Sequence, residues 1–252
     1  MKIVVTVKQV PDPASTFTLE ADNSLSREKE VVLDPGDECG VEEALQLKEA
    51  HGGEVVLVSM GPDRAKEAVR KGLSMGADRG ILISDPGLAG ADALLTARVL
   101  AAAIKTESPD LVICGTESYD GSTGMVPPML AELLGVPQVT FAKKVEIADS
   151  TVKVHRQTSD GYQVVEAPRP ALITVTAAIA EPRYASLKGI MAARSKEIKQ
   201  LALSDLGIEK GEPAETIESV AAAEARKAGE VIEDDGTAVD KIVEVLMEAK
   251  VL

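Results

Sequence analysis

Short apolar runs alternate with helix-like segments through the first half of the chain. The runs have the length and low polarity of strands buried on both faces of a parallel sheet. They are residues 2–7, 54–60, 80–84 and 110–114. Apolar positions at helical spacing lie between them, in segments that follow Asp34-Pro35, pass through Ala65, Val69 and Leu73, and cover residues 91–105 and 129–134. This alternation predicts an α/β fold built on a doubly wound parallel sheet.

The pattern changes after residue 139. Four strand-like segments follow with turn residues between them, and they indicate an antiparallel extension of the sheet. They are residues 145–147, 151–157, 163–166 and 172–176. Within the first half, residues 8–13 are expected to form a loop broken by Pro11 and Pro13, and residues 16–20 and 24–28 a polar hairpin.

An acidic segment, residues 209–235, separates this body from a last apolar helix. Thr237 and Asp240 have the spacing of a capping box, and the helix after them carries Val239, Ile242, Val243 and Leu246 on one face. The face must be covered either by the chain's own body or by a partner. We expect two domains, an α/β domain over residues 1–200 and a C-terminal arm over residues 201–252.

Residues 181–199 follow an apolar strand but have no periodic apolar face. Pro182 is expected to lead the chain out of the sheet as a loop that carries Arg183, Tyr184 and Leu187 and ends at Gly189. Residues 190–198 then suggest a short helix with Arg194, Lys196 and Lys199 on its solvent side. Two interpretations are open: a docking peptide, or an ordinary connection with Leu187 in the core.

Charge and composition exclude several classes of function. The net charge of −14 opposes nucleic-acid binding, and an aromatic content of 2% leaves no stacking platform for single strands. Cys39 and Cys114 have no metal-ligand spacing and are expected to be reduced thiols. No signal peptide or membrane-spanning run is visible, which predicts a cytoplasmic protein without direct membrane insertion.

The residues indicate a binding protein rather than an enzyme. No nucleophile motif, metal motif or glycine-rich phosphate loop is present, and His51 and His155 stand alone. Ligands of a doubly wound sheet collect at the carboxyl ends of its strands, here residues 6–12, 60–61 and 115–126. The last of these is rich in Gly, Ser and Thr and leads into a helix, which suits either a phosphate or a plain loop.

A longer pattern resembles the β (small) subunit of electron-transfer flavoproteins. It comprises residues 168–175 (Pro-Arg-Pro-Ala-Leu-Ile-Thr-Val) and 181–193 (Glu-Pro-Arg-Tyr-Ala-Ser-Leu-Lys-Gly-Ile-Met-Ala-Ala), with support from residues 5–12 and 68–78. The resemblance covers nearly the whole chain. It implies an adenine-nucleotide-binding (Rossmann-like) sheet, and a C-terminal arm that packs on a larger α subunit.

The resemblance also implies two sites in this chain. A structural AMP would be held by Thr6, Asp34, Pro35, Gly36, Asp37, Met60, Gly115, Thr116, Glu117, Ser118, Tyr119, Asp120, Gly121, Ser122, Thr123, Gly124, Met125 and Val126. A recognition loop over residues 181–190, with Leu187 as its anchor, would dock a partner acyl-CoA dehydrogenase. The docking residues would be Glu181, Pro182, Arg183, Tyr184, Leu187, Ile190 and Met191.

The implied function is electron transport without catalysis by this chain. The heterodimer would carry electrons from acyl-CoA and related dehydrogenases to a membrane quinone oxidoreductase, with the redox FAD held mainly by the α subunit. Two alternatives are open. Asp120-Gly121, Thr123, Val126, Pro128 and Ala131-Glu132 resemble the electron-bifurcating relatives, which carry a second FAD instead of AMP; Met125 stands where those relatives usually have Gln. The second alternative is a nucleotide-sensing module of the same sheet class that has no redox role.

Overall fold

The computed structural model describes residues 1–21, 25–27, 30–177, 179–209, 213–215, 217–218, 220, 229 and 231–251. Two compact units are distinguished, residues 1–217 and residues 218–252. The expected boundary at residue 200 stays a prediction.

The described strands and helices alternate as expected through the first half of the chain. The strands are β1 (Lys2–Thr6), β2 (Gln9–Pro11), β3 (Val31–Leu33), β4 (Glu54–Met60), β5 (Arg79–Ile83), β6 (Leu111–Gly115), β7 (Gln138–Ile147), β8 (Thr151–Thr158), β9 (Gly161–Pro168), β10 (Ala171–Val175) and β11 (Ile198–Leu201). The helices are α1 (Pro35–His51), α2 (Lys66–Met75), α3 (Ala93–Glu107), α4 (Val126–Leu134), α5 (Leu187–Ala193) and α6 (Ala238–Glu248).

Nine of the described strands form one sheet in the order β11-β5-β4-β1-β6-β10-β7-β8-β9. The chain moves from β1 to β4 and β5 on one side, and then returns to place β6 on the other side of β1. One apolar core lies between the sheet and α1 and α2, and a second lies between the sheet and α3 and α4. This is the predicted doubly wound fold, and its winding direction reverses between β1 and β6, where ligands of such sheets bind.

The antiparallel extension is confirmed for β7, β8 and β9, but the prediction for β10 was wrong. β10 lies inside the sheet and pairs in parallel with both β6 and β7. All five of its residues are buried, so it lacks the alternation of a half-exposed antiparallel strand. An apolar run of this kind belongs to the centre of a parallel sheet.

Two local predictions near the N-terminal strand also change. Residues 9–11 are not loop, because β2 pairs in antiparallel fashion with β3. Of the hairpin predicted after it, the structure retains one bridge between Leu19 and Leu25, while residues 22–24 and 28–29 lie outside the described residues.

Within residues 218–252, the last helix is confirmed but its capping box is not. The Thr237 side chain makes no cap hydrogen bond to α6, because its hydroxyl donates to Asp235 Oδ1 at 2.5 Å instead. Much of the acidic segment 209–235 lies outside the described residues. Docking of this helix on a partner remains a prediction.

Glu43 is a buried acid whose charge destabilises the fold. It lies on α1 with 7% exposure, and burial together with the neighbouring Glu42 raises its pKa from 4.5 to about 7. The folded state therefore binds this proton more tightly than the unfolded chain does. This tighter proton binding stabilises the folded state fully below pH 4.5, and the stabilisation is lost as the pH rises through 7.

We therefore expect Glu43→Gln to raise the free energy of unfolding at pH 8 by up to about 3 kcal/mol, and by less at pH 5.5. Urea unfolding at the two pH values measures the difference. Glu67→Gln, an exposed change on α2, is the control. An equal gain at both pH values would contradict the assignment.

Candidate functional site

The N-terminus of α1 lies at the point where β1 and β6 separate. Asp34 caps the helix, since its Oδ1 accepts the N–H of Gly36 at 2.8 Å, and Pro35 occupies the first turn as predicted. The second oxygen, Oδ2, accepts the N–H of Tyr119 at 2.7 Å. Asp34 therefore joins α1 to the loop after β6.

Asp37 joins the ends of the two strands themselves. Its carboxylate accepts the N–H of Lys8 at 2.8 Å and that of Gly115 at 3.3 Å. Burial, together with repulsion from Asp34, raises the pKa of Asp37 well above its ordinary value, although both backbone bonds act in the opposite direction. Both oxygens are thus engaged by the protein.

Asp120 is the third carboxylate of this group, and it pairs with two cations. Its side chain is buried and lies 2.6 Å from Lys8 Nζ, with a second short ion pair to Arg27. Burial acts to raise the pKa of Asp120, but Lys8 and Arg27 outweigh it and hold the pKa below its usual range. Lys8 and Arg27 remain partly exposed, so both cations are accessible beside the loop.

The loop over residues 116–125 leads directly into α4. Thr116 is fixed to the end of β10 through a 2.9 Å hydrogen bond to the carbonyl of Val175. Ser122 and Gly124 have φ values of 48° and 62°, so the chain turns sharply before the helix. No side chain caps α4, so its first turn would be open to an anion. However, Pro127 and Pro128 carry no N–H, and only Val126 offers a backbone donor in that turn. An anion here would depend on the loop and on Lys8 and Arg27 more than on the helix end.

The segment after β10 is held against α1 by Arg183. Its guanidinium donates to Glu42 at 2.7 and 2.9 Å and to Glu49 at 2.5 Å. Its backbone N–H also reaches Glu42 at 3.2 Å. Hydrogen bonds to Glu42 and Glu49 raise the pKa of Arg183. Burial acts to raise the pKa of Glu42, but the hydrogen bonds from Arg183 outweigh it and hold that pKa below its usual range.

Helix α5 is mounted on α2 at both of its ends. Ser186 Oγ accepts the N–H of Gly189 at 3.0 Å and caps the helix. Gly189 packs so closely that a Cβ added there would lie 2.4 Å from the carbonyl oxygen of Ser74. Arg70 donates to the carbonyl of Ala193 at 2.6 Å at the other end.

The structure of residues 187–201 differs from the prediction in three respects. The helix begins at Leu187 rather than after Gly189, and it ends at Ala193. Residues 198–201 form β11, which pairs in parallel with β5. Lys196 is not on a solvent side, since its Nζ donates to the carbonyls of Leu73 and Ala77 at 3.1 and 2.5 Å and caps α2.

The apolar side chains of this segment remain at the surface. Tyr184 is 94% exposed, Leu187 75% and Met191 65%. Leu187 is therefore not a core residue, so the plain strand-to-helix interpretation does not describe it. An exposed apolar group on a fixed frame is the arrangement of a protein-docking anchor.

Comparisons with known proteins identify the family of this chain. The family model of the electron transfer flavoprotein domain matches residues 22–206. Proteins named electron transfer flavoprotein subunit beta are 42% identical over 99% of both chains in Mycobacterium tuberculosis, 40% over 92% in Clostridium acetobutylicum and 36% over the full length of both chains in Megasphaera elsdenii. The chain belongs to the electron transfer flavoprotein β-subunit family.

In this flavoprotein-family chain, most of the residues expected to bind a nucleotide come together. Thr6, the start of α1 and residues 115–126 meet at the carboxyl ends of β1 and β6, while Met60 ends the neighbouring strand β4. Two cations beside this site, Lys8 and Arg27, are not among the residues expected from the sequence. Lys8 belongs to the strand-end segment 6–12, but Arg27 lies in the polar excursion between β2 and β3 and carries no sequence signal.

Cys39 and Cys114 are free, as predicted, and burial raises the pKa of Cys114 to about 12. No group of three or more His, Cys, Asp or Glu side chains among the described residues could hold a metal ion. Within the same residues, every helix is too short or too polar to cross a membrane.

Proposed function

We propose that this chain is the small subunit of a heterodimeric electron transfer flavoprotein. It pairs with a larger α subunit that holds the redox FAD, and the pair carries electrons in the cytoplasm from acyl-CoA and related dehydrogenases to a membrane quinone oxidoreductase. Family membership supports the pairing. The docking role rests on one observation, the exposure of Leu187 on a helix that Ser186, Gly189 and Arg70 hold in place.

The chain also holds a structural AMP beside the loop 116–125. Lys8 and Arg27 would face its phosphate, and the hydroxyls of the loop would complete the polar surface. The residues present fit the phosphate of an adenine nucleotide, because Lys8 and Arg27 remain partly exposed although both pair with Asp120. Asp34 and Asp37 support this surface from behind, since their oxygens are already used by backbone N–H groups.

Electron bifurcation with a second FAD in this chain is the second candidate. The letters around Asp120 support it, as does the pair of cations, which would also neutralise a diphosphate. FAD supplies the one- and two-electron chemistry in either case. A sensing module without a redox role has no further support once the chain belongs to this family.

Nucleotide content separates the two candidates. The chain is co-expressed with its α subunit, the complex is denatured, and the released nucleotides are identified by chromatography and flavin absorbance. We expect one FAD and one AMP per heterodimer. Two FAD and no AMP would establish bifurcation instead, and a chain that purifies without a partner or a flavin would contradict both.

A further inference from the structure

The ladder between β1 and β6 is short and stops before the strands end. Pairing runs from Ile3 with Leu111 to Val5 with Ile113. Beyond that point, the backbone N–H of Lys8, two residues past the end of β1, and that of Gly115, the last residue of β6, do not pair with the opposite chain. The Asp37 carboxylate accepts both and spans the gap between the diverging chains.

The space around this carboxylate is filled. Asp37 is 8% exposed, and a Cβ added to Gly115 would lie 2.7 Å from its Oδ1. Gly115 is also the last residue before the loop 116–125, so the contact sets where that loop leaves the sheet. At 8% exposure, and with each oxygen already accepting a backbone N–H, the carboxylate offers little surface to a ligand.

We propose that Asp37 is a positioning residue for the nucleotide: through Lys8 and Gly115 it fixes the exit of the loop 116–125 and the start of the Lys8–Asp120 pair, without contacting the nucleotide. This inference rests on the proposed function, because it presupposes an adenine nucleotide in this chain. It differs from the sequence-based expectation, which made Asp37 a nucleotide contact.

Asp37→Asn tests the proposal in the assembled heterodimer. The new amide NH2 must face one of the two backbone N–H groups, where it cannot accept a hydrogen bond. We expect the α-subunit FAD to be retained, while the adenine nucleotide of this chain dissociates about tenfold faster or more. Exchange against labelled AMP, or labelled FAD where the wild type releases two FAD, measures the rate.

Asp85→Asn is the matched control. Asp85 bridges two segments in the same way, accepting the N–H of Gly87 at 2.8 Å and of Leu203 at 3.2 Å, but it lies outside the strand ends that carry the loop. We expect this variant to lower the thermal midpoint without changing nucleotide exchange.

Gly115→Ala approaches the same contact from the other side and keeps the test valid if Asp37→Asn assembles poorly. It should also accelerate exchange, because the added methyl group displaces the carboxylate. Wild-type exchange rates in Asp37→Asn and Gly115→Ala, or an equal acceleration in Asp85→Asn, would overturn the positioning role. A wild-type heterodimer without an adenine nucleotide would instead overturn the proposed function.

Discussion

Leu187→Ala should slow reduction of the heterodimer's flavin by an acyl-CoA dehydrogenase by about tenfold or more at limiting concentrations, with its FAD content unchanged. The side chain is 75% exposed, so its removal takes nothing from the core. A buried anchor in a complex contributes about 2 kcal/mol or more, and a transient electron-transfer interface has few such anchors. The loss should therefore appear in the apparent KM for the dehydrogenase, which stopped-flow flavin reduction measures across a range of its concentrations.

Val164→Ala provides the control for this experiment. Val164 is 50% exposed on β9, an edge strand outside the docking segment, and its truncation also removes exposed apolar surface. We expect wild-type kinetics for that variant. Equal rates in Leu187→Ala and the wild type would remove Leu187 as the anchor and return the segment to a plain connection.

Gly189→Ala should have an effect at least as large, although alanine favours helices. Its Cβ would lie 2.4 Å from the backbone oxygen of Ser74, which cannot move aside as a side-chain tip can. Helix α5 must therefore lift from α2 and carry Leu187 and Met191 out of position. We expect docking to weaken by tenfold or more, about 1.4 kcal/mol or greater, while FAD and adenine nucleotide stay bound.

Gly229→Ala separates this steric effect from the general effect of replacing glycine. No heavy atom lies within 4 Å of the Cβ position at Gly229, so only the unfolded chain loses freedom there. Dehydrogenase titrations and thermal unfolding of both variants give the comparison. Docking at wild-type strength in Gly189→Ala would mean that the frame beneath α5 is not needed.

The two sites differ in how far their residues could be inferred. For Leu187 the pattern left two interpretations open, and the family resemblance favoured docking; the structure shows that Tyr184, Leu187 and Met191 are exposed. Lys196 was misassigned, because a lysine in a polar segment has no mark that distinguishes a surface cation from one that caps the neighbouring helix. The role of Asp37 could not be inferred, since an acid near a strand end serves a ligand or the backbone equally well; the structure shows its carboxylate accepting the N–H groups of Lys8 and Gly115.

The sequence by itself determined most of the longer strands and helices and their α/β alternation, because the spacing of apolar residues depends on local geometry. The three-residue strand β2, the four-residue strand β11 and the bounds of α5 were not determined in this way. The sequence also determined the cap at Asp34, which involves residues two positions apart. Only the tertiary structure decided that β10 lies between β6 and β7, and that Asp120 meets Lys8 and Arg27 across 112 and 93 residues. Strand order sets those meetings, and no local period in the chain encodes it.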